Sequence, residues 1–243
     1  LRGDDLQIGR GETIADTARI ISGFCDALIV RTFAQSDVDE LGKHSTIPVI
    51  NALTDDDHPT QLLADWITIR ENFGKDISGR KFVYLGDGNN MATAWLIMGA
   101  TMGAHVVVAT PSGKWAPKAE VVNQAIAIAN KSGAQVEVLT DPEAAAKDAS
   151  VLYTDVWMSM GDSESDRNEK VASLSPFAVT DKLMSLTKKD SIFMHCLPAH
   201  RGEEVSASVI DGAKSVIWRQ AFHRRTTIQA LLYHLTRGDL TGK

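Results

Sequence analysis

Short apolar runs recur along the chain, and most are followed by a stretch whose apolar residues fall at helical spacing. In the C-terminal two thirds the runs are 82–85, 106–109, 136–139, 151–154, 192–194 and 216–218, rich in β-branched and aromatic residues. Runs this short with that composition predict buried strands. Helices are predicted from Asn90, Pro117 and Pro142, near Ser206, and from about Thr226 to Arg237, whereas 155–169 carries no helical pattern and predicts a loop. Uniformly apolar strands alternating with helices imply a parallel sheet covered on both faces, hence an α/β protein.

The first third follows the same rule. The spacing predicts a helix over 12–21 with acidic residues in its first turn, a strand over 27–30 ending at Arg31, and a short helix capped by Ser36-Asp37 and running to Leu41. A strand over 48–52 leads to the turn Thr54-Asp55-Asp56-Asp57-His58-Pro59, whose proline suits the first position of a helix. That helix, 59–71, carries Leu62, Leu63, Trp66 and Ile69 on one face, and 72–79 has the character of a connector.

Composition narrows the function classes. Among 243 residues, 44% are hydrophobic and 23% charged, enough for a substantial core. Lys and Arg number 25 against 31 Asp and Glu, a formal charge of −6, so neither a nucleic-acid nor a membrane surface is expected. The most apolar stretch, 91–109, is interrupted by Gly99, Gly103 and His105 and predicts a buried helix and strand, not a membrane span. Two cysteines far apart, Cys25 and Cys196, exclude a disulfide framework and a structural zinc site and point to a reducing, cytoplasmic compartment. The chain opens on Leu1, so its first residues say nothing of a targeting signal.

Open α/β sheets bind ligands outside the carboxyl ends of their strands, so polar residues at those ends are the candidates. The run 192–194 ends in His195-Cys196-Leu197-Pro198, and Pro198 forbids an immediate helix. Cys196 is either a small core thiol or a site residue, and the other strand ends favour the site. Gly86-Asp87-Gly88-Asn89-Asn90-Met91 stands where a dinucleotide fingerprint would. Met91 replaces its third glycine, and Val107-Val108-Ala109-Thr110 supplies no acidic partner, which argues against a nicotinamide cofactor. Those glycines serve either a tight turn or a ligand. Asp155, after 151–154, either caps a turn or pairs with a substrate ammonium. Arg31 ends another strand, and His58 and Gln61 share one face at a helix start, a place that favours anions. Arg224 is either a solvated charge or a reach toward an anion. No carboxylate or second cysteine stands at ligand spacing from His195 and His200, so no metal is expected. His44, His105 and His234 are expected to be structural.

Together these residues resemble the transcarbamoylase family, in particular its ornithine-using branch. The likeness runs through Gln7-Ile8-Gly9, Glu12 to Ala18, Arg31, His58-Pro59-Thr60-Gln61, Gly86 to Met91, Asp155 with Ser159-Met160-Gly161, and His195-Cys196-Leu197-Pro198. It implies two doubly wound parallel-sheet domains of the transcarbamoylase type, the first incomplete here. Residues 1–57, joined by a C-terminal helix over 219–243, would form the carbamoyl-phosphate domain. Residues 58–77 would be the interdomain helix and connector, and 78–218 a Rossmann-like ornithine domain. The implied reaction moves the carbamoyl group of carbamoyl phosphate to the δ-amine of L-ornithine, giving citrulline and phosphate, with no cofactor or metal.

The resemblance assigns Arg31, His58, Gln61, Cys196, Leu197 and Arg224 to carbamoyl phosphate, with Gln7 reaching a neighbouring subunit's site in a homotrimer or multiple of trimers. It assigns Asn90, Asp155, Ser159 and Met160 to ornithine, and catalysis to Cys196, Arg31 and His58, with Cys196 as a positioning group rather than an acylated nucleophile. Two departures stand out. The family's Ser-x-Arg-Thr-Arg segment would lie upstream of Leu1, so the chain as it stands is expected to make little citrulline. Phe222-His223-Arg224 replaces the usual Glu-Asn-Arg. Other readings are a non-catalytic ornithine-binding or assembly subunit of the same type, and a carbamoyltransferase for a related amine.

Overall fold

The computed structural model describes residues 11–158 and 164–237. The chain divides into two compact units, residues 1–60 with 225–243 and residues 61–224.

In the first unit, α1 (Ile14–Ser22) is capped by Thr13, whose side chain accepts from the Asp16 amide. Strand β1 (Leu28–Arg31) pairs in parallel with β2 (Val49–Leu53), and α2 (Gln35–His44) lies between them in sequence. Helix α2 begins one residue before the expected Ser36-Asp37 cap: Ala34 holds the cap position and offers no side-chain bond. The pairing continues past the strands, since the Thr32 amide donates to the Leu53 carbonyl (3.1 Å) and the Asp55 amide to the Phe33 carbonyl (2.9 Å).

The second unit holds a five-stranded, all-parallel sheet in the order β5-β4-β3-β6-β7. Its strands are β3 (Lys81–Leu85), β4 (His105–Ala109), β5 (Gln135–Leu139), β6 (Val151–Thr154) and β7 (Ile192–His195). Alternate side chains go to opposite faces. Phe82, Tyr84, Val106, Val108, Tyr153 and Met194 join one core, with Leu62, Trp66 and Ile69 of α3 (Pro59–Phe73) and with α4 (Asn90–Thr101) and α5 (Ala119–Ser132). Val83, Leu85, Val107, Leu152 and Phe193 join the other, with α6 (Pro142–Ala146), α8 (Asp181–Ser185) and α9 (Ala207–Ile210). Burial on both faces is why strands β3, β4, β6 and β7 are apolar in sequence apart from one end residue each. Helix α7 (Arg167–Leu174) precedes α8, and α10 (Ile217–Arg237) closes the chain. Helices α3 and α10 each continue from one unit into the other.

Three expectations change. The run 216–218 is not a strand. Ser215 makes only an isolated bridge to Phe193, and from Ile217 the chain is helical, with Ile217 buried and Trp218 70% exposed. A β-branched pair satisfies either state, and a single apolar face here favours the helix. With no breaker between Trp218 and Thr226, the predicted final helix becomes the end of a 21-residue one. The loop expected over 155–169 gives way to α7 from Arg167, and α8 had no counterpart among the predicted elements.

Gly99 marks a close helix–strand approach. A Cβ there would stand 2.0 Å from Val106 Cγ2 on β4. Gly99→Ala should therefore cost roughly 1–3 kcal/mol by overpacking. Urea denaturation should show the loss, and Val106→Ala in the same chain should recover part of it through non-additive coupling.

Candidate active site

Strand order reverses at the β3–β6 junction, because β4 and β5 continue on one side of β3 and β6 and β7 on the other. Such a reversal opens a crevice at the carboxyl edge. Asp155 follows β6 at this point and is nearly buried. Its Oδ1 accepts from its neighbour's amide (Val156, 2.8 Å) and from the Cys196 thiol (Sγ to oxygen 2.8 Å), and its Oδ2 accepts from Asn89 Nδ2 (3.2 Å). Asn89 in turn caps α4 and accepts from the Tyr84 hydroxyl at 3.2 Å. Burial, then the adjacent Asp155 carboxylate, holds the Cys196 thiol well above its ordinary range. It is a proton donor here, not a thiolate nucleophile.

The glycines before α4 serve the protein's own backbone. A Cβ on Gly88 would meet Pro117 N at 2.3 Å, and the Gly88 amide donates to the Trp115 carbonyl. Asp87, the residue between Gly86 and Gly88, pairs with Lys170 of α7 at 2.6 Å, both side chains nearly buried. Asn90 is the first residue of α4 and half-buried.

The turn after β7 is held by His195. Its Nδ1 accepts from the Leu197 amide (2.8 Å), which leaves the proton on Nε2 to face Glu204 Oε1 (3.3 Å). Glu204, wholly buried, also accepts from the His200 amide. Leu197 adopts φ +60, a left-handed conformation costly for a branched residue and typical of sites where the surroundings impose it. Since both His195 nitrogens are engaged, His195 is not a base for Cys196. The expectation of no carboxylate near these histidines is corrected. Ligand-capable atoms of Asp155, His195 and Cys196, and of His200, Glu203 and Glu204, lie within 4.8 Å of one another in two groups. Folding brings Asp155 across from β6, and its partners there are the thiol and amides described above.

Gln61 and Arg224 also come together: Arg224 Nη1 donates to Gln61 Oε1 at 2.7 Å. The altered neighbour His223 braces the same helix, its Nε2 2.9 Å from Glu71. Gln61 Nε2 donates to Asp65 Oδ1 (2.8 Å), which also accepts from Gln220 Nε2 (2.7 Å), while Gln220 Oε1 accepts from the His195 amide (2.9 Å). Asp65 was not singled out by sequence, although a charged residue inside Leu62-Leu63-Ala64-Asp65-Trp66 is a signal, as buried carboxyls need partners. Asn89 stands beside Asn90 in the Gly86 to Met91 motif, where two consecutive amides at a helix start are a signal, whereas Glu204, Gln220 and Lys170 gave no comparable one.

In the first unit, the β1–β2 pairing sets Arg31 opposite Leu53, at the edge from which the Thr54 to His58 turn leaves. Thr54 anchors that turn through Gln35 (2.7 Å), and Thr60 at the start of α3 donates to the Ala52 carbonyl (3.2 Å). Arg31 and His58 therefore share one end of this small sheet. Gln7, Ser159 and Met160 lie outside the described residues.

Residues 78–235 match the Asp/Orn binding domain of aspartate/ornithine carbamoyltransferases, and residues 1–71 their carbamoyl-P binding domain. The chain belongs to the aspartate/ornithine carbamoyltransferase family. Within that class it is 53% identical over 235 residues to an ornithine carbamoyltransferase of Anoxybacillus flavithermus, spanning 97% of this chain and 74% of that protein. The Pyrococcus furiosus ornithine carbamoyltransferase structure superposes with a TM-score of 0.90 at 50% identity, covering 97% of this chain and 74% of that one. The corresponding enzyme of Campylobacter jejuni does so at 0.88 and 36% identity, with 97% and 77% coverage.

Burial pushes the Asp65 carboxyl up to about 7, against the Gln61 and Gln220 amides, the Tyr153 hydroxyl and the Arg224 charge, all of which favour ionisation. An unfolded Asp releases its proton near 3.8. The folded state thus holds the extra proton between those values, and this group's contribution to stability should fall as pH rises from about 4 to about 7. Asp65→Asn should flatten that slope in urea titrations across the interval.

Proposed function

We propose that this protein transfers the carbamoyl group of carbamoyl phosphate to the δ-amine of L-ornithine, forming L-citrulline and phosphate. The observation that carries the reading is the Asp155 carboxylate, ordered by Cys196 and Asn89 at the strand reversal of the second unit. A preset, nearly buried carboxylate suits an amino-acid ammonium better than any uncharged ligand.

In this reading Asp155 and Asn90, with Ser159 and Met160, place ornithine so that its neutral δ-amine meets the carbamoyl carbon. The amine lone pair forms the new C–N bond, a tetrahedral oxyanion develops, and the C–O bond to phosphate breaks as the amine sheds its proton. Arg31 and His58 stabilise the developing charge on the carbonyl oxygen and the leaving phosphate. Arg224, steadied by Gln61, adds a further cation, and Leu197 and Cys196 line the reacting centre. The protonated thiol favours positioning over covalent catalysis. Gln7 reaches a neighbouring subunit's site in a trimer, and the protein works in the cytoplasm on small molecules, without metal or organic cofactor. No described helix is long and apolar enough to cross a membrane.

Asp155→Asn in the full-length protein should weaken ornithine binding by roughly tenfold or more, the scale of a lost charge-assisted bond, and leave carbamoyl phosphate binding nearly unchanged. Separate calorimetric titrations of the two ligands read this directly, and equal losses for both would remove Asp155 from the ornithine site. Cys196→Ser, close in volume, should lower turnover or ornithine affinity while preserving the fold. A variant with wild-type kinetics would make Cys196 a core thiol, and a full-length wild-type protein that makes no citrulline would favour a non-catalytic relative.

A further inference from the structure

We propose that Asp65, which has no role in the carbamoyl-transfer reading, is a positioning residue whose Oδ1 sets both the Gln61–Arg224 pair and the end of β7. The proposal rests on the carbamoyl-transfer reading above. Asp65 lies on α3 with no exposed surface, one helical turn beyond Gln61. A primary amide has a donor end and an acceptor end, and a carboxylate oxygen can only accept. Because Gln61 and Gln220 both point their Nε2 at Asp65 Oδ1 (2.8 and 2.7 Å), both are obliged to turn their oxygens outward. One of those oxygens receives Arg224 Nη1 (2.7 Å), and the other receives the amide of His195 (2.9 Å).

Either glutamine, if flipped, would set an NH2 group against a guanidinium or against a backbone N–H, donor facing donor. The two orientations therefore stand or fall with an acceptor at position 65. The His195 amide is the last of β7, next to Cys196 and Leu197, and β7 is the edge strand of its sheet. Among the described residues no strand pairs with its outward N–H, and Gln220 fills that role. A fully buried carboxyl opposes folding. Its place beside two groups that the reading gives to carbamoyl phosphate is accounted for by the order it imposes on them.

The test compares Asp65→Asn with Asp65→Leu in the full-length protein, measuring citrulline formation against each substrate and the urea midpoint. Asn retains one acceptor oxygen for both amides, whereas Leu retains none. Asp65→Leu leaves two buried amide donors without an acceptor, so its urea midpoint should not rise, and the folded variant should lose roughly 10- to 100-fold in kcat/KM for carbamoyl phosphate, the scale of mis-set hydrogen bonds to a charged group. Its KM for ornithine should move less than about twofold, and Asp65→Asn should stay within about threefold of wild type. In a Gln61→Leu background, Asp65→Leu should add less than it does alone, because the two act through one network. If Asp65→Leu does not fold, Asp65→Ser, too short to reach both amides, takes its place. Wild-type kinetics in the Leu or Ser variant, equal damage by Asn and Leu, or strict additivity with Gln61→Leu would overturn the proposal. Those outcomes are separate from failure of the carbamoyl-transfer reading, which inactivity of the full-length wild-type protein alone would signal.

Discussion

Strands β3, β4, β6 and β7 of the second unit's sheet are covered on both faces, and this governs where chemistry can sit. Tyr84 and Tyr153 go to one core and Leu85 and Leu152 to the other, all fully buried. A charged side chain on either face would need a partner inside an apolar layer. Polar groups are therefore driven to the carboxyl ends of the strands, and the reversal between β3 and β6 parts the following segments there. Asp155 and Cys196 each stand one residue beyond a strand end, and Asp87 two, for this reason.

At that edge the polar groups restrain one another. The Cys196 thiol and the Asn89 amide occupy the two oxygens of Asp155, His195 spends one nitrogen on the Leu197 amide and the other on Glu204, and Asp65 holds two glutamines. Each bond is worth little alone, but a buried donor or acceptor left without its partner is expensive, so the set is cooperative. The outcome is a preset arrangement in which Leu197 can be held at φ +60. Preset dipoles and charges need no reorganisation when charge develops on a substrate.

Much of the architecture could be read from residue order. The strands of the second unit through β7 were placed within a residue or so, because strands buried on both faces are uninterrupted apolar runs between turn residues. Val216 to Trp218 misled for the same reason: a short β-branched run fits a strand and a helix start equally, and only packing of Ile217 with exposure of Trp218 decides. Helices α7 and α8 were missed because their apolar residues are sparse and irregularly spaced.

By itself the sequence determined which residue types stand at the strand ends, since a polar residue terminating an apolar run is visible in one dimension. It could not determine their partners. Cys196 meets Asp155 across 41 residues, Gln220 meets Asp65 across 155 and Arg224 meets Gln61 across 163. Hydrogen bonds of that span are made by the order of strands and the packing of α3 and α10 on the second unit's sheet, which no local pattern encodes. The tertiary structure alone therefore decided that the Cys196 thiol is a donor, that His195 is no base for it, and that an aspartate hidden in a helix pattern orients two glutamines. The physical reason is that the protonation and direction of a buried group depend on what stands within about 3 Å of it.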